Sequence, residues 1–289
     1  MKDYALIATA YNNEVRLYVS NTTNLVRKAQ EIHDTWPTAT AALGRFLTVS
    51  AMMGLMYKND ERLTLQIKGD GPINTMLVEA RGDGTVRGDI LNPHVYIRSE
   101  KEGKLDVGQA VGNGFLHVTK DLNLKSMFTS SVELTSGEIA EDFARYFVVS
   151  EQTPSAVSLG VLVDPNKVVR ISGGFIIQVL PGATNETIDL LEKTIYDVGP
   201  VSRFFDEGND TLDLLKALTN NDYKLLDKRE LKYECDCNKE RFTRGLATLD
   251  DNALDELILD DGIEVVCHFC KTKYNFTSDE LKELKKMRK

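Results

Sequence analysis

The sequence predicts an α+β protein in three parts: an antiparallel-rich N-terminal β domain with packed helices (residues 1–181), a helical linker (182–232) and a small C-terminal unit (233–289). Three observations carry this. Between Leu63 and Val179 the pattern is mainly short β runs divided by Gly-rich turns, without the regular strand–helix alternation of a doubly wound parallel sheet. From Thr184 the texture changes to charged amphipathic stretches. All four cysteines of the 289-residue chain then follow residue 234.

The N-terminal domain opens with apolar and polar positions alternating from Tyr4 to Val19, as in Glu14-Val15-Arg16-Leu17-Tyr18-Val19, which predicts a hairpin or pair of strands. A helix follows from about Thr23 to Asp34, with Leu25, Val26, Ala29 and Ile32 on one stripe. Trp36-Pro37 breaks that pattern before a second helix through Tyr57, apolar enough to be buried. Later β runs include Leu63–Ile67, Thr85–Ile90 and Val132–Leu134, and one helix near Glu138 to Val148 interrupts them. With 42% of its residues apolar, the chain can bury one large core and has room for a second, smaller unit.

In the linker, Ile188, Leu191, Ile195 and Val198 form one apolar stripe and Leu212, Leu215 and Leu218 another. These faces need a cover, because so charged a segment is a poor candidate for folding alone. A cover by the C-terminal unit, over Leu191 and Leu215, is the expectation. That unit ends in a well-signalled helix: Thr277 and Glu280 have capping-box spacing, and Phe276 and Leu281 have hydrophobic-staple spacing.

A formal charge of -9 argues against a large non-specific nucleic-acid surface, which is built from an excess of Lys and Arg. The start of the chain lacks a basic segment followed by an apolar one, and no apolar stretch is long enough for a membrane helix. The expectation is a soluble cytoplasmic protein. No zincin, nucleophile-elbow or dinucleotide pattern occurs, and His33, His94 and His117 are too scattered to form a cluster, so no enzyme is expected.

The strongest chemical signal is Cys235-Asp236-Cys237, then 29 intervening residues, then Cys267-His268-Phe269-Cys270. Zinc takes four thiolates tetrahedrally, and each close pair supplies two sulfurs at little cost in chain entropy. Residues i and i+2 of an extended backbone face one side, so Cys235 and Cys237 reach one ion together. The second pair lies between two apolar runs, where a two-residue turn forms a zinc knuckle. The C-terminal part is therefore expected to be a zinc-binding domain with one Zn2+ per chain, held by Cys235, Cys237, Cys267 and Cys270. His268 is left out of the metal set, because four sulfurs already complete it.

Such a site is either purely structural or a switch. Three physical points favour the switch. A unit of about 57 residues has a marginal core, so the metal supplies much of its stability. Zinc-bound cysteines are thiolates, the form that reacts with peroxide or hypochlorous acid. The partners in each pair are also close enough in sequence to form local disulfides.

The chain resembles the heat shock protein 33 family of redox-regulated holdase chaperones over essentially its whole length. Besides the cysteine order, the resemblance rests on Ala39-Thr40-Ala41-Ala42-Leu43-Gly44-Arg45, Leu65-Gln66-Ile67-Lys68-Gly69-Asp70-Gly71-Pro72, Ser150-Glu151-Gln152-Thr153-Pro154-Ser155 and Gly173-Gly174-Phe175-Ile176-Ile177-Gln178. It implies a substrate-binding N-terminal domain, a metastable linker and a zinc switch. It also implies ATP-independent binding of unfolding or oxidatively damaged client proteins. In the oxidised form it implies disulfides Cys235–Cys237 and Cys267–Cys270, zinc release and a homodimer. The charge and the lack of a long apolar stretch lead to the expectation of no nucleic-acid or membrane partner.

A zinc-ribbon nucleic-acid module is the competing class. Arg241, Arg244, Lys271, Lys273, Lys282, Lys285, Lys286, Arg288 and Lys289 would supply its basic face, which Glu280 and Glu283 dilute. Gly69-Asp70-Gly71-Pro72 reads as a turn between strands rather than an anion cradle. Met52, Met53 and Met56 read as core of the second helix rather than an adaptable client surface.

Overall fold

The structure, a computed structural model, describes residues 2–99, 104–164 and 166–287. It divides into two compact units, Met1–Glu234 and Cys235–Lys289. No helix among the described residues is long and apolar enough to cross a membrane.

The first unit begins with β1 (Tyr4–Ala10), β2 (Val15–Asn21), α1 (Thr23–His33) and α2 (Pro37–Gly54). It continues through β3 (Arg62–Gly69), β4 (Thr75–Arg81), β5 (Thr85–Ile90), α3 (Val107–Val111), β6 (Gly114–Asp121) and β7 (Phe128–Glu133). Then come α4 (Ala140–Val149), β8 (Ser155–Val163), β9 (Val169–Val179), α5 (Asn185–Val198), α6 (Val201–Asp206), α7 (Thr211–Thr219), β10 (Tyr223–Glu230) and β11 (Lys232–Tyr233). The strands form a five-stranded sheet, β10-β1-β2-β9-β8, and a six-stranded sheet, β11-β5-β4-β3-β6-β7. All pairings are antiparallel except the short β11–β5 pair.

The predicted hairpin is present, and Tyr11, Asn12 and Asn13 turn it with φ of 51°, 55° and 65°. Asn tolerates this left-handed region, and the Thr9 hydroxyl holds Asn13 Oδ1 at 2.7 Å. α1 receives no side-chain cap from Thr22. Asp3 caps it instead, accepting from the Leu25 amide at 2.6 Å and from Asn24 Nδ2 at 2.8 Å. α2 starts at Pro37, where a missing N–H costs nothing, and every residue in it but Arg45 is buried. Such a helix must be enclosed on all sides. It lies in the core with α1 and with residues of both sheets, and Met52 and Met53 sit there as the sequence indicates. Gly44 allows the close approach: a Cβ there would stand 2.7 Å from Val26 Cγ1 and 3.0 Å from Val161 Cγ2.

The other face of the five-stranded sheet carries Leu6, Ala8, Leu17, Val19, Phe175 and Ile177, which form a second core with residues of α5, α6 and α7. This corrects the expectation about the linker stripes. Leu191 and Leu215 are buried on the sheet of their own unit. At Gly173 a Cβ would come within 2.5 Å of Phe205, so this glycine lets α6 settle onto β9. The segment expected to be helical to about Leu226 leaves helix after Thr219. Asn220 and Asn221 turn it at φ 48° and 63°, and β10 pairs with β1 from Tyr4↔Glu230 to Ala10↔Tyr223. An open sheet edge imposes the strand on a polar sequence with no alternation of its own.

α3, unforeseen in the sequence, is only five residues long and is capped by Asp106. The Gly69–Pro72 segment is a turn packed beside it, with Asp70 Oδ1 accepting from the Asn113 amide at 2.7 Å.

Candidate metal centre

The chain enters the second unit from a well-anchored segment. Leu231 and Tyr233 are buried in the first unit's core, the Glu234 amide donates to Val86 O at 3.0 Å, and Lys28 Nζ donates to Tyr233 O at 2.9 Å.

The second unit contains α8 (Lys239–Leu246), α9 (Asp251–Leu259), β12 (Gly262–Val266), β13 (Lys273–Thr277) and α10 (Ser278–Met287). Cys235-Asp236-Cys237 lies outside any helix or strand, between β11 and Asn238, which caps α8 by accepting from the Arg241 amide at 2.8 Å. β12 and β13 pair antiparallel from Gly262↔Thr277 to Val266↔Lys273, which places the second cysteine pair in the hairpin's turn. There the Cys267 amide donates to Thr272 O at 2.9 Å and the Lys271 amide to Cys267 O at 2.8 Å, with Lys271 at φ 56°. The amides of Cys270 and Phe269 point at the Cys267 sulfur. This is knuckle geometry. The reciprocal cap on α10 is also present, Thr277 N to Glu280 Oε2 at 2.9 Å and Glu280 N to Thr277 Oγ1 at 3.3 Å.

The four sulfurs converge. All lie within 4.8 Å of one another, with Cys235 Sγ 3.7 Å from Cys267 Sγ and Cys237 Sγ 3.3 Å from Cys270 Sγ. A tetrahedral zinc with bonds of about 2.3 Å separates its sulfurs by about 3.8 Å, so the cluster has the size and the donor chemistry for one such ion. His268 is not part of the cluster.

Two hydroxyls adjoin the sulfurs. Thr272 Oγ1 lies 3.2 Å from Cys270 Sγ, and Tyr274 Oη lies 3.2 Å from Cys237 Sγ while donating to Cys237 O at 3.0 Å. The sequence reading missed both residues. Thr272 and Tyr274 lie two and four positions past Cys270, and only the hairpin shows that they turn back toward the sulfurs.

Without a cation the thiols ionise unequally. Burial pushes the Cys237 thiol up to about 12, with neighbouring cysteines adding to the effect. Burial also raises Cys267. Burial opposes ionisation of Cys270 as well, but bonds from Thr272, Cys237 and Cys267 together outweigh it and hold that thiol at about 7. The bond to Cys237 and then burial raise Tyr274 to about 12. A dication reverses this balance, since coordination favours the thiolate outright.

Beneath the cluster is a small core of Leu246, Leu254, Phe276, Leu281 and Leu284. Many basic side chains proposed for a nucleic-acid face are engaged with acids: Arg241 with Asp236, Lys273 with Glu264, Lys282 with Asp279 and Lys285 with Asp255. Arg288 and Lys289 lie outside the described residues. The remaining histidines are dispersed: His33 meets Tyr233, His94 meets Asp34, and His117 stacks on Phe115.

Known proteins share this arrangement of sequence and fold. The model of a family described as "Hsp33 protein" matches residues 3–277. A 33 kDa chaperonin of Acholeplasma laidlawii is 51% identical over 288 residues, covering 98% of this chain and 99% of its own. That of Bacillus subtilis is 43% identical over 285 residues, covering 98% of each chain. The crystal structure of the 33 kDa chaperonin (heat shock protein 33 homolog) of Thermotoga maritima superposes with a TM-score of 0.92 at 38% identity, covering 99% of this chain and 98% of that one. With a family match across nearly its whole length and both units present, the chain belongs to the Hsp33 family.

Proposed function

We propose that this protein is a redox-regulated, ATP-independent holdase chaperone of the cytoplasm that captures unfolding proteins during oxidative stress. The observation that carries the proposal is the gathering of four thiols within 4.8 Å in a unit whose own core is so small. Bound there, one Zn2+ would neutralise the thiolates and cross-link the two ends of the unit, a contribution on the order of 10 to 16 kcal/mol in finger peptides.

The residues supply the switch. Two thiolates and one hydrogen peroxide, with two protons, give a disulfide and two waters. Following the family resemblance, Cys235 pairs with Cys237 and Cys267 with Cys270, after which no thiolate remains to hold a cation. The second unit then rests on its small core alone and unfolds. Residues 1–181 serve as the substrate-binding domain, 182–232 as the linker and 233–289 as the switch. Following the same resemblance, unfolding of the switch loosens the linker from the five-stranded sheet, and the surface this frees is the apolar interface lined by Leu17, Phe175, Leu191 and Leu215. Apolar area of that kind, flanked by charge, suits reversible capture of clients and pairing of two oxidised chains. The protein's work is binding, not catalysis.

Light scattering of a thermally unfolding client, recorded with a colorimetric zinc chelator present, tests this. Suppression of aggregation that appears together with zinc release after peroxide and heat is the expected result. Zinc retention without suppression would leave a purely structural zinc domain and send the next experiment to RNA binding.

A further inference from the structure

The two cysteine pairs reach the cluster from separate stretches of chain, and one side chain spans them without help from a metal. Tyr274 belongs to β13, the strand that leaves the knuckle of Cys267 and Cys270, yet its hydroxyl donates to the carbonyl of Cys237 at 3.0 Å and lies 3.2 Å from that residue's sulfur. Its ring packs on Phe242 of α8 with centroids 5.0 Å apart. Phe276, two positions along the strand and so on the same face, is buried in the unit's core. The ring is therefore seated on Phe242 and against the unit's core before the hydroxyl meets Cys237.

The hydroxyl suits both forms of Cys237. When the cysteine is a thiol, its S–H can donate to Oη while Oη–H donates to the carbonyl, closing a pair of bonds within one residue. When it is a thiolate, the phenol proton has two acceptors, sulfur and carbonyl oxygen. In either form Cys237 stays against the hairpin that carries the other pair. Hydrogen bonds of this kind around metal ligands typically change metal affinity 10–100-fold.

We propose that Tyr274 is a positioning residue of the metal centre, a brace that keeps Cys237 gathered with Cys267 and Cys270 so that the loaded site releases its ion slowly. The inference rests on the reading of the four cysteines as a zinc site. The physical reason is orientation: a partner hydrogen-bonded to a ligand residue fixes where its sulfur points and so raises metal affinity.

The test uses the reduced, zinc-loaded full chain and Tyr274→Phe, which removes one oxygen and keeps the ring on Phe242. Zinc affinity is measured by competition with a chelator, and the rate of zinc transfer is followed under chelator excess. Tyr274→Phe is expected to bind zinc about 10–100-fold more weakly and to transfer it correspondingly faster. Loaded with Co2+, the variant should also show a sulfur-to-metal charge-transfer band at lower energy, because a sulfur that loses a hydrogen bond gives up electron density more readily. Tyr196→Phe, altered at a side chain 85% exposed in the first unit, should match the wild type. Phe242→Leu loosens the ring's packing but retains the hydroxyl, and should lose clearly less than Tyr274→Phe. Equal losses in Phe242→Leu and Tyr274→Phe, or a Tyr274→Phe chain with wild-type affinity and transfer rate, would overturn the brace while leaving the zinc site intact. A wild-type chain that takes up no zinc would remove the site and the brace together.

Discussion

Tyr233 Oη lies 3.1 Å from His33 Nε2 and donates to Gly88 O at 2.8 Å, which ties the residue two positions before the first cysteine into the core of the first unit. Tyr233 is 4% exposed. Tyr233→Phe keeps the ring and strips the hydroxyl from buried partners, so it should destabilise the first unit by about 1–3 kcal/mol. Urea unfolding followed by far-UV circular dichroism measures this, and an unchanged midpoint would show that the hydroxyl contributes nothing there.

Leu215 is fully buried between α7 and the five-stranded sheet. Leu215→Ala should cost about 2–5 kcal/mol and loosen the helical layer. If that layer is the cover over the client surface, the reduced, zinc-loaded variant binds more hydrophobic dye and partly suppresses client aggregation without oxidant. A less stable variant that gains neither property would place the client surface elsewhere.

Cys267 is buried while the other three cysteines are partly exposed, and two backbone amides point at its sulfur. Cys267→Ser swaps a soft thiolate for a poor zinc ligand. Zinc content should fall below one per chain, and trypsin should cut within residues 235–289 faster than in wild type. Wild-type zinc content with wild-type proteolysis would contradict the assigned ligand set.

Asp3 caps α1, and burial raises its pKa above 3.8 despite hydrogen bonds from Leu25 and Asn24 that work the other way. A carboxyl raised in the folded state holds its proton more tightly there than in the unfolded chain. The stability that proton binding adds is fully present below the unfolded value and is lost as pH rises through the folded one. At neutral pH, Asp3→Ala should cost about 1 kcal/mol through the lost cap. The gap between wild type and variant should then widen as pH falls toward 4. A gap that narrows in acid would reverse the assigned direction.

Much of this architecture was legible in local patterns. The β1–β2 hairpin, α1, the buried α2 and the capping box of α10 each depend on residues within a few positions of one another, and each forms where the sequence indicates. Cys235 and Cys237, two positions apart, bring their sulfurs to one cluster, and Cys267 and Cys270 sit in a hairpin turn because apolar runs flank them. What was not legible depends on partners distant in the chain. Tyr223–Glu230 carries no strand signal of its own and becomes β10 because β1 presents an open edge.

The sequence by itself determined the class of the protein, the first two helices and the gathering of four cysteines, because these follow from side-chain periodicity and from ligand chemistry at short spacing. Only the tertiary structure decided what lies against the stripes of Leu191 and Leu215, and which hydroxyls stand beside the sulfurs. An amphipathic stripe states that it must be covered but not by what, and a tyrosine four positions past a cysteine meets another cysteine 37 positions away only when a hairpin folds it back.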